Sequence, residues 1–195
     1  MSILIYAESA EGKIKKVAFE LASYAKKVAA SMGTTVTAVT INNSDNSALA
    51  AYGVDKVLNV SNDKLNNFSA KAYADVIAQA AKKEGTQIVL VSSSTDSLYL
   101  APLVAVALEA GYASNVVALP VSTSPFQVKR TAFSNKAFNI TEISTPVKVL
   151  GIAKNSFGLV EDAVSMTEEA FAPSLNDADF GIKVENVEKV TGKVT

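Results

Sequence analysis

The sequence contains no cysteine and no histidine, and Arg130 is its only arginine. Without cysteine there are no thiol nucleophiles, thiolate metal sites or disulfides, which fits a reducing compartment. Without histidine the usual Ser-His-Asp base, the commonest metal ligand and the side chain best suited to shuttling protons near neutrality are all missing. Hydrolase chemistry of the familiar kind is therefore not expected. With lysine supplying 17 of the 18 basic residues, the bidentate guanidinium forks that favour phosphates and base edges are scarce, and nucleic acid is not an expected partner. Long apolar runs are absent too. No stretch approaches the roughly 20 residues needed to cross a bilayer, and Met1-Ser-Ile-Leu-Ile-Tyr6 enters a buried-strand pattern at once, which leaves no room for a signal or transit peptide. The expectation is a soluble, cytoplasmic protein that does not insert into membranes.

What is present suits a folded α/β chain. The 195 residues are 49% hydrophobic and 19% charged, enough to bury one sizeable core. The net charge of −1 conceals an asymmetry, since residues 1–160 hold 15 basic and 11 acidic side chains (+4) and residues 161–195 hold 3 and 8 (−5). Ile3 to Ala7 reads as a strand buried on both faces. Ile14, Val17, Ala18, Leu21, Ala25, Val28, Ala29 and Met32 then recur at helical spacing, with Gly33 as a left-handed stop. The alternation continues with a strand at 36–41, a short helix at 47–52 closed by Gly53, and a strand at 56–60. Next come a helix capped by Ser69 and stopped by Gly85, a strand at 88–91, and a helix at 98–110 with Pro102 in or near its first turn. Such alternation predicts a three-layer α/β/α domain with a mostly parallel sheet, of the adenine-nucleotide-hydrolase-like type.

Beyond this the helices stop. Residues 116–119, 126–132, 136–143 and 147–152 read as strands joined without helices, with a tight turn at Ser134-Asn135, which predicts an antiparallel hairpin extension. From about Gly158 the periodicity weakens and acidic residues gather, so residues 1–158 are assigned to the domain and 159–195 to a linker or arm. In that arm Ile182 and Val184 read as a short edge strand. Val187, Val190 and Val194 stay apolar to the end, which suggests that more polypeptide belongs after Thr195.

Candidate sites are few. The turn Ser92-Ser-Ser-Thr-Asp-Ser97 lies between a strand end and a helix start, where open α/β sheets bind ligands and free amides attract anions, although the same residue types ordinarily cap helices. The turn after the first strand carries Glu8, Ser9, Glu11 and Gly12, whose carboxylates would repel phosphate. None of the nine glycines forms a dinucleotide fingerprint or a phosphate loop. Glu161-Asp162 and Glu168-Glu169 read as a solvated charge run. Lys13, Lys15, Lys16, Lys26 and Lys27 read as the wet side of the first helix or a docking surface for an acidic partner. The aromatic residues are scattered and form no stacking platform. The hairpin from Phe126 to Ile140 alternates as a half-buried strand pair whose apolar face would meet another subunit. No catalytic, metal or cofactor-binding residue is assigned.

Several strings resemble, in order, the amino-terminal domain of electron transfer flavoprotein alpha subunits. They are Ile3-Leu-Ile-Tyr-Ala-Glu8, Ala50-Ala-Tyr-Gly-Val-Asp-Lys-Val57, Leu100-Ala-Pro102, Ala113-Ser-Asn-Val116, Lys136-Ala137 and Pro146-Val-Lys-Val-Leu-Gly-Ile-Ala-Lys-Asn-Ser-Phe157. The resemblance covers about Ile3 to Phe157 and, more loosely, runs on to Thr195. It departs from the family at Leu103, where arginine is common, and at Asn115, where aspartate is. It implies a heterodimer with a related beta subunit that carries FAD and passes electrons from dehydrogenases, in fatty acid oxidation among other settings, to a quinone oxidoreductase or another acceptor. It also implies that the flavin sits mainly in a carboxy-terminal domain beyond a segment like Lys189–Thr195, with none bound to this chain alone. An electron carrier needs no acid, base or nucleophile from such a domain, because the cofactor does the chemistry. A stand-alone nucleotide-binding module of the universal-stress type is the alternative, and it lacks its glycine-rich loop.

Overall fold

In the computed structural model, which describes residues 2–182 and 184–186, the apolar opening is a central strand. β1 (Ser2–Tyr6) is buried at all positions and pairs in parallel with β4 (Thr35–Ile41) on one side and β6 (Ile88–Ser92) on the other. A strand enclosed by sheet on both sides and helices on both faces has no wet side, which is why it shows no polar alternation. Between β1 and β4 lie a two-residue hairpin, β2 (Ser9–Ala10) with β3 (Lys13–Ile14), and the helix α1 (Lys16–Met32). Gly33 ends α1 at φ 64°, its amide bonded to the Ala29 carbonyl, as the periodicity predicts.

β5 (Lys56–Val60) extends the parallel sheet beyond β4, reached through a 3-10 turn at Ser47–Tyr52. The helices α2 (Ala70–Glu84) and α3 (Thr95–Ala107) then flank β6 in sequence. Two buried clusters show the three layers. Leu21, Tyr24, Ala25 and Val28 of α1 pack with Ile3, Ile5, Val36 and Leu150 on one face. Val76, Ile77, Leu100 and Val104 of α2 and α3 pack with Leu4, Val39, Val89 and Val149 on the other.

After α3 the chain skips a place in the sheet. β7 (Gly111–Val116) leads to β8 (Ser122–Thr123), β9 (Phe126–Ala132) and β10 (Ala137–Glu142), which run antiparallel out to the edge. β11 (Lys148–Ile152) then returns to fill the empty place between β6 and β7, parallel to both. The full order is β10-β9-β7-β11-β6-β1-β4-β5, ending in β12 (Thr167–Ala170). The antiparallel extension is thus real but smaller than expected, because residues 148–152 belong to the parallel centre. Their run Val149-Leu-Gly-Ile152 is buried throughout, the same two-faced burial as β1.

Three further expectations are corrected. α3 begins three residues earlier than the reading of 98–110, because the Ser94 hydroxyl caps it by accepting the Ser97 amide at 3.1 Å. Pro102 therefore lies in the helix interior, where it removes the amide that would bond the Leu98 carbonyl. Ser69 precedes α2 but its side chain makes no cap, and its hydroxyl donates instead to the Asp179 carbonyl at 3.0 Å. Ile182 and Val184 lie outside any strand; the edge strand of this segment is β12, paired in parallel with β5. Within the segment read as an arm, 167–180 is fastened to the sheet, with Phe171, Leu175 and Phe180 packed on the α2 side. Val187, Val190, Val194 and the segment Lys189–Thr195 lie outside the described residues. Among the described residues no helix is long and apolar enough to cross a membrane.

Candidate functional site

The sheet order reverses direction between β1 and β6, and there the chain leaves the two strands toward opposite faces, opening a crevice at their carboxyl ends. Two turns that the sequence presents separately meet in it. Glu8 follows β1, is 2% exposed, and points its Oε1 at the turn after β6. Three hydroxyls donate to that one oxygen: Ser92 in a very short contact, Ser94 at 2.7 Å and Ser97 at 3.0 Å. The other oxygen takes the Lys15 ammonium at 3.3 Å. A buried carboxylate is tolerated only when its lone pairs are filled, and here a cation and three hydroxyls fill them.

This pairing accounts for Ser92, Ser94 and Ser97 by contacts within the fold. Ser94 caps α3 and clamps Glu8 with the same oxygen, and Ser92 and Ser97 turn inward to the carboxylate. The place where a phosphate would sit is occupied by a negative charge. At this turn Glu8 takes up the three hydroxyls that would otherwise face a bound anion. Among the described residues no three acidic side chains gather where they could hold a metal ion.

A second carboxylate acts as a clasp. Glu20, on α1 and 6% exposed, accepts the amides of Asn155 at 2.9 Å, Phe157 at 2.9 Å and Gly158 at 3.1 Å. Burial pushes its pKa up, but the backbone donors of residues 155–158 outweigh this and hold it below the usual carboxylate range. One turn along α1, the Ser23 hydroxyl accepts the Val160 amide at 3.0 Å and donates to the Val160 carbonyl at 3.1 Å. Nothing in the local sequence marks Glu20 for this role. Its only signal is an acidic residue placed on the apolar side of the helix, beside Leu21.

The remaining candidates disperse. Of the lysine group, Lys15 pairs with Glu8 and Lys26 lies 3.7 Å from Asp55, so the patch is less uniform than an open basic surface. Glu161 and Asp162 are exposed. Glu168 and Glu169 are not a free charge run: Glu168 accepts the side-chain amides of Asn46 and Asn59, and Glu169 bridges Lys56 at 2.7 Å and Lys83 at 2.8 Å. Those lysines hold the Glu169 pKa down to about 2. Ser9 donates to the Ile41 carbonyl, and Gly12 sits at φ 72° in the β2–β3 turn.

The hairpin carries the largest exposed apolar surface of the extension. Phe133, Phe138 and Ile140 are 80%, 62% and 52% exposed. The register pairs Phe138 with Thr131 and Ile140 with Lys129, and the Lys129 ammonium lies 4.3 Å from the Phe138 ring centre, so these side chains share a face. The opposite face of β9 buries Phe126 and Val128 with the α1 cluster. Among the described residues β10 is the free edge of the sheet, and it is exposed along almost its whole length.

Comparison with known proteins agrees with this architecture. The family model for the electron transfer flavoprotein domain matches residues 3–178. The chain is 28% identical to the electron transfer flavoprotein subunit alpha of Thermoanaerobacterium thermosaccharolyticum, over 96% of this chain and 59% of that protein. It is likewise 28% identical to the alpha subunit of Megasphaera elsdenii, over 98% of this chain and 59% of that protein. It is 30% identical to subunit LctC of the lactate dehydrogenase (NAD(+),ferredoxin) of Acetobacterium woodii, over 74% of this chain and 36% of that protein. The chain thus spans about three fifths of the length of the alpha subunits it matches. With the match running from β1 through β12 to the 3-10 turn beyond it, the chain belongs to the electron transfer flavoprotein domain family.

Proposed function

We propose that this chain is the amino-terminal part of the alpha subunit of a heterodimeric, FAD-containing electron transfer flavoprotein. In this reading the whole complex accepts electrons from dehydrogenases and delivers them to a quinone oxidoreductase or another acceptor. Residues 1–158 form the scaffold and the contact surface for the beta subunit, and residues 159–195 lead toward the flavin-binding part of a longer chain. The domain contributes no acid, base or nucleophile; the redox chemistry is that of the flavin.

The observation that carries the reading is the pairing of a closed crevice with an open edge. At the switch point, Glu8 and three serines fill the place a ligand phosphate would take. The alternative working surface is the hairpin, which offers Phe133, Phe138 and Ile140 beside a strand with no outer neighbour among the described residues. An exposed apolar edge of this kind is a ready surface for another polypeptide. The filled turn also weighs against a stand-alone nucleotide-binding module.

The test is a flavin titration followed by FAD fluorescence. The 195-residue chain alone is compared with the full-length gene product co-expressed with its beta subunit. Stoichiometric binding by the complex, no binding by the shorter chain, and loss of the beta subunit on purification of Phe138→Asp/Ile140→Asp are the expected results. Tight flavin binding by the 195-residue chain would overturn the assignment of the flavin to the rest of the complex. Unchanged assembly of the double variant would overturn the hairpin as the contact surface.

A further inference from the structure

Arg130, the only arginine of the chain, carries a charge that the fold leaves unpaired. It lies in β9, opposite Asn139 of β10 and Val116 of β7, and forms no ion pair among the described residues. Its Nε is buried and has no hydrogen-bond partner, and its Nη2 reaches the Ser114 hydroxyl only at 3.5 Å, longer than an ordinary bond of this type. Buried donors are almost always met, so an unmet one in a native fold calls for an explanation. A guanidinium holds five N–H donors in a rigid fork and stays charged at any working pH. Here the fold neither neutralises that charge nor saturates the fork.

The groups beside Arg130 are hydroxyls. Gly151 of β11 leaves a gap next to β7: a Cβ there would lie 3.4 Å from the Tyr112 hydroxyl, 3.5 Å from the Ser114 Cα and 3.8 Å from the Ser93 hydroxyl. Ser93 belongs to the turn after β6, and it is the one serine of Ser92, Ser93, Ser94 and Ser97 whose hydroxyl does not go to Glu8. The Ser93 and Tyr112 hydroxyls have no partner among the described residues, and both residues are only partly buried, so a ligand can reach them. Burial pushes the Tyr112 phenol up and Arg130 draws it part of the way back, which leaves it above its usual range as a neutral O–H donor. No carboxylate contributes to that balance. Donors from β6, β7 and β9 thus surround a gap with one uncompensated positive charge, which suits an anion. A planar carboxylate matches the fork with two parallel hydrogen bonds and is slim enough for a gap of about one methyl group.

We propose that Arg130, Ser93, Tyr112 and Ser114 form a binding notch for a small carboxylate, its two oxygens set against the Nη groups of Arg130 and receiving the hydroxyls beside Gly151. Such a site lies outside the electron-transfer role proposed above and does not depend on it. A low-millimolar affinity suits a ligand of this size in a partly open site.

The experiment titrates the 195-residue chain with sodium acetate, acetamide and sodium chloride and follows the Arg130 Nε–Hε signal by NMR, which is unambiguous in a chain with one arginine. Acetate should move the signal saturably. Acetamide, of the same shape without the charge, should bind at least roughly tenfold more weakly, and chloride at equal ionic strength should give no saturable shift. Gly151→Ala, which fills the gap, and Tyr112→Phe, which removes one donor, should each weaken acetate binding by roughly three- to tenfold with unchanged circular dichroism. Arg130→Lys, read at the Tyr112 and Gly151 amides, keeps the charge without the fork and should weaken it at least as much. No saturable shift with acetate, equal binding of acetate and acetamide, or undiminished acetate binding in both Gly151→Ala and Tyr112→Phe would each overturn the proposal.

Discussion

Removing the Glu20 carboxylate should loosen the chain that follows β11 and lower the stability of the whole domain. Glu20→Ala leaves the amides of Asn155, Phe157 and Gly158 without their acceptor. A hydrogen bond to a charged group is worth about 1.5–3 kcal/mol, so three of them set a high ceiling. Water reaching the loop returns part of this, and a net loss of about 3 kcal/mol is expected for Glu20→Ala. Glu20→Gln keeps one acceptor oxygen and should lose about half as much. In urea unfolding followed by circular dichroism, with a slope of about 2–3 kcal/mol per molar, Glu20→Ala should shift the midpoint by about 1 M. The pH dependence has a definite sign. The folded pKa of Glu20 is lowered from 4.5, so its contribution is complete above the unfolded value and fades as the pH falls through the folded one. The gap between the parent chain and Glu20→Gln should therefore be constant at neutral pH and shrink as the pH falls below 4.5. A loss below about 0.5 kcal/mol for Glu20→Ala, or a gap indifferent to acid, would refute the clasp.

Two other perturbations probe the same framework. Gly111→Ala would place a Cβ 2.5 Å from Ile143 Cγ2 and 2.8 Å from the Thr145 hydroxyl, which itself accepts the Gly111 amide, so a loss of about 1–3 kcal/mol is expected in the same urea assay. Glu169→Gln should speed hydrogen exchange of the Thr167 and Phe171 amides, which bond the Asp55 and Asn59 carbonyls, while amides of β1 stay protected. Because the Glu169 carboxyl is held down to about 2 by Lys56 and Lys83, in the parent chain the fastening of β12 should persist until the pH falls well below 4.5 and weaken toward about 2. Loss of protection already at about pH 5 would count against the ion pairs.

Much of the fold was legible because its signals are local. The helical spacing from Val17 to Met32 with Gly33 behind it depends on residues within one turn of each other, and so does the strand-like alternation of the hairpin. The family resemblance was legible for a similar reason: it rests on short strings in a fixed order. α3 was misplaced by three residues because its start depends on which of several adjacent serines caps it, and Ser94 is selected by a hydroxyl contact to Glu8, 86 residues away.

The sequence by itself determined the class of fold, the positions of most elements, the absence of thiol and imidazole chemistry, and the family. Only the tertiary structure decided where β11 goes, since a run of apolar residues states that a strand is buried on both faces but not which neighbours bury it. Likewise, only folding brought Glu8 to Ser92, Ser94 and Ser97, and Glu20 to residues 155–158. Each of these is a pairing of polar groups far apart in the chain, and its energy depends on the desolvation that the surrounding packing imposes on both partners at once.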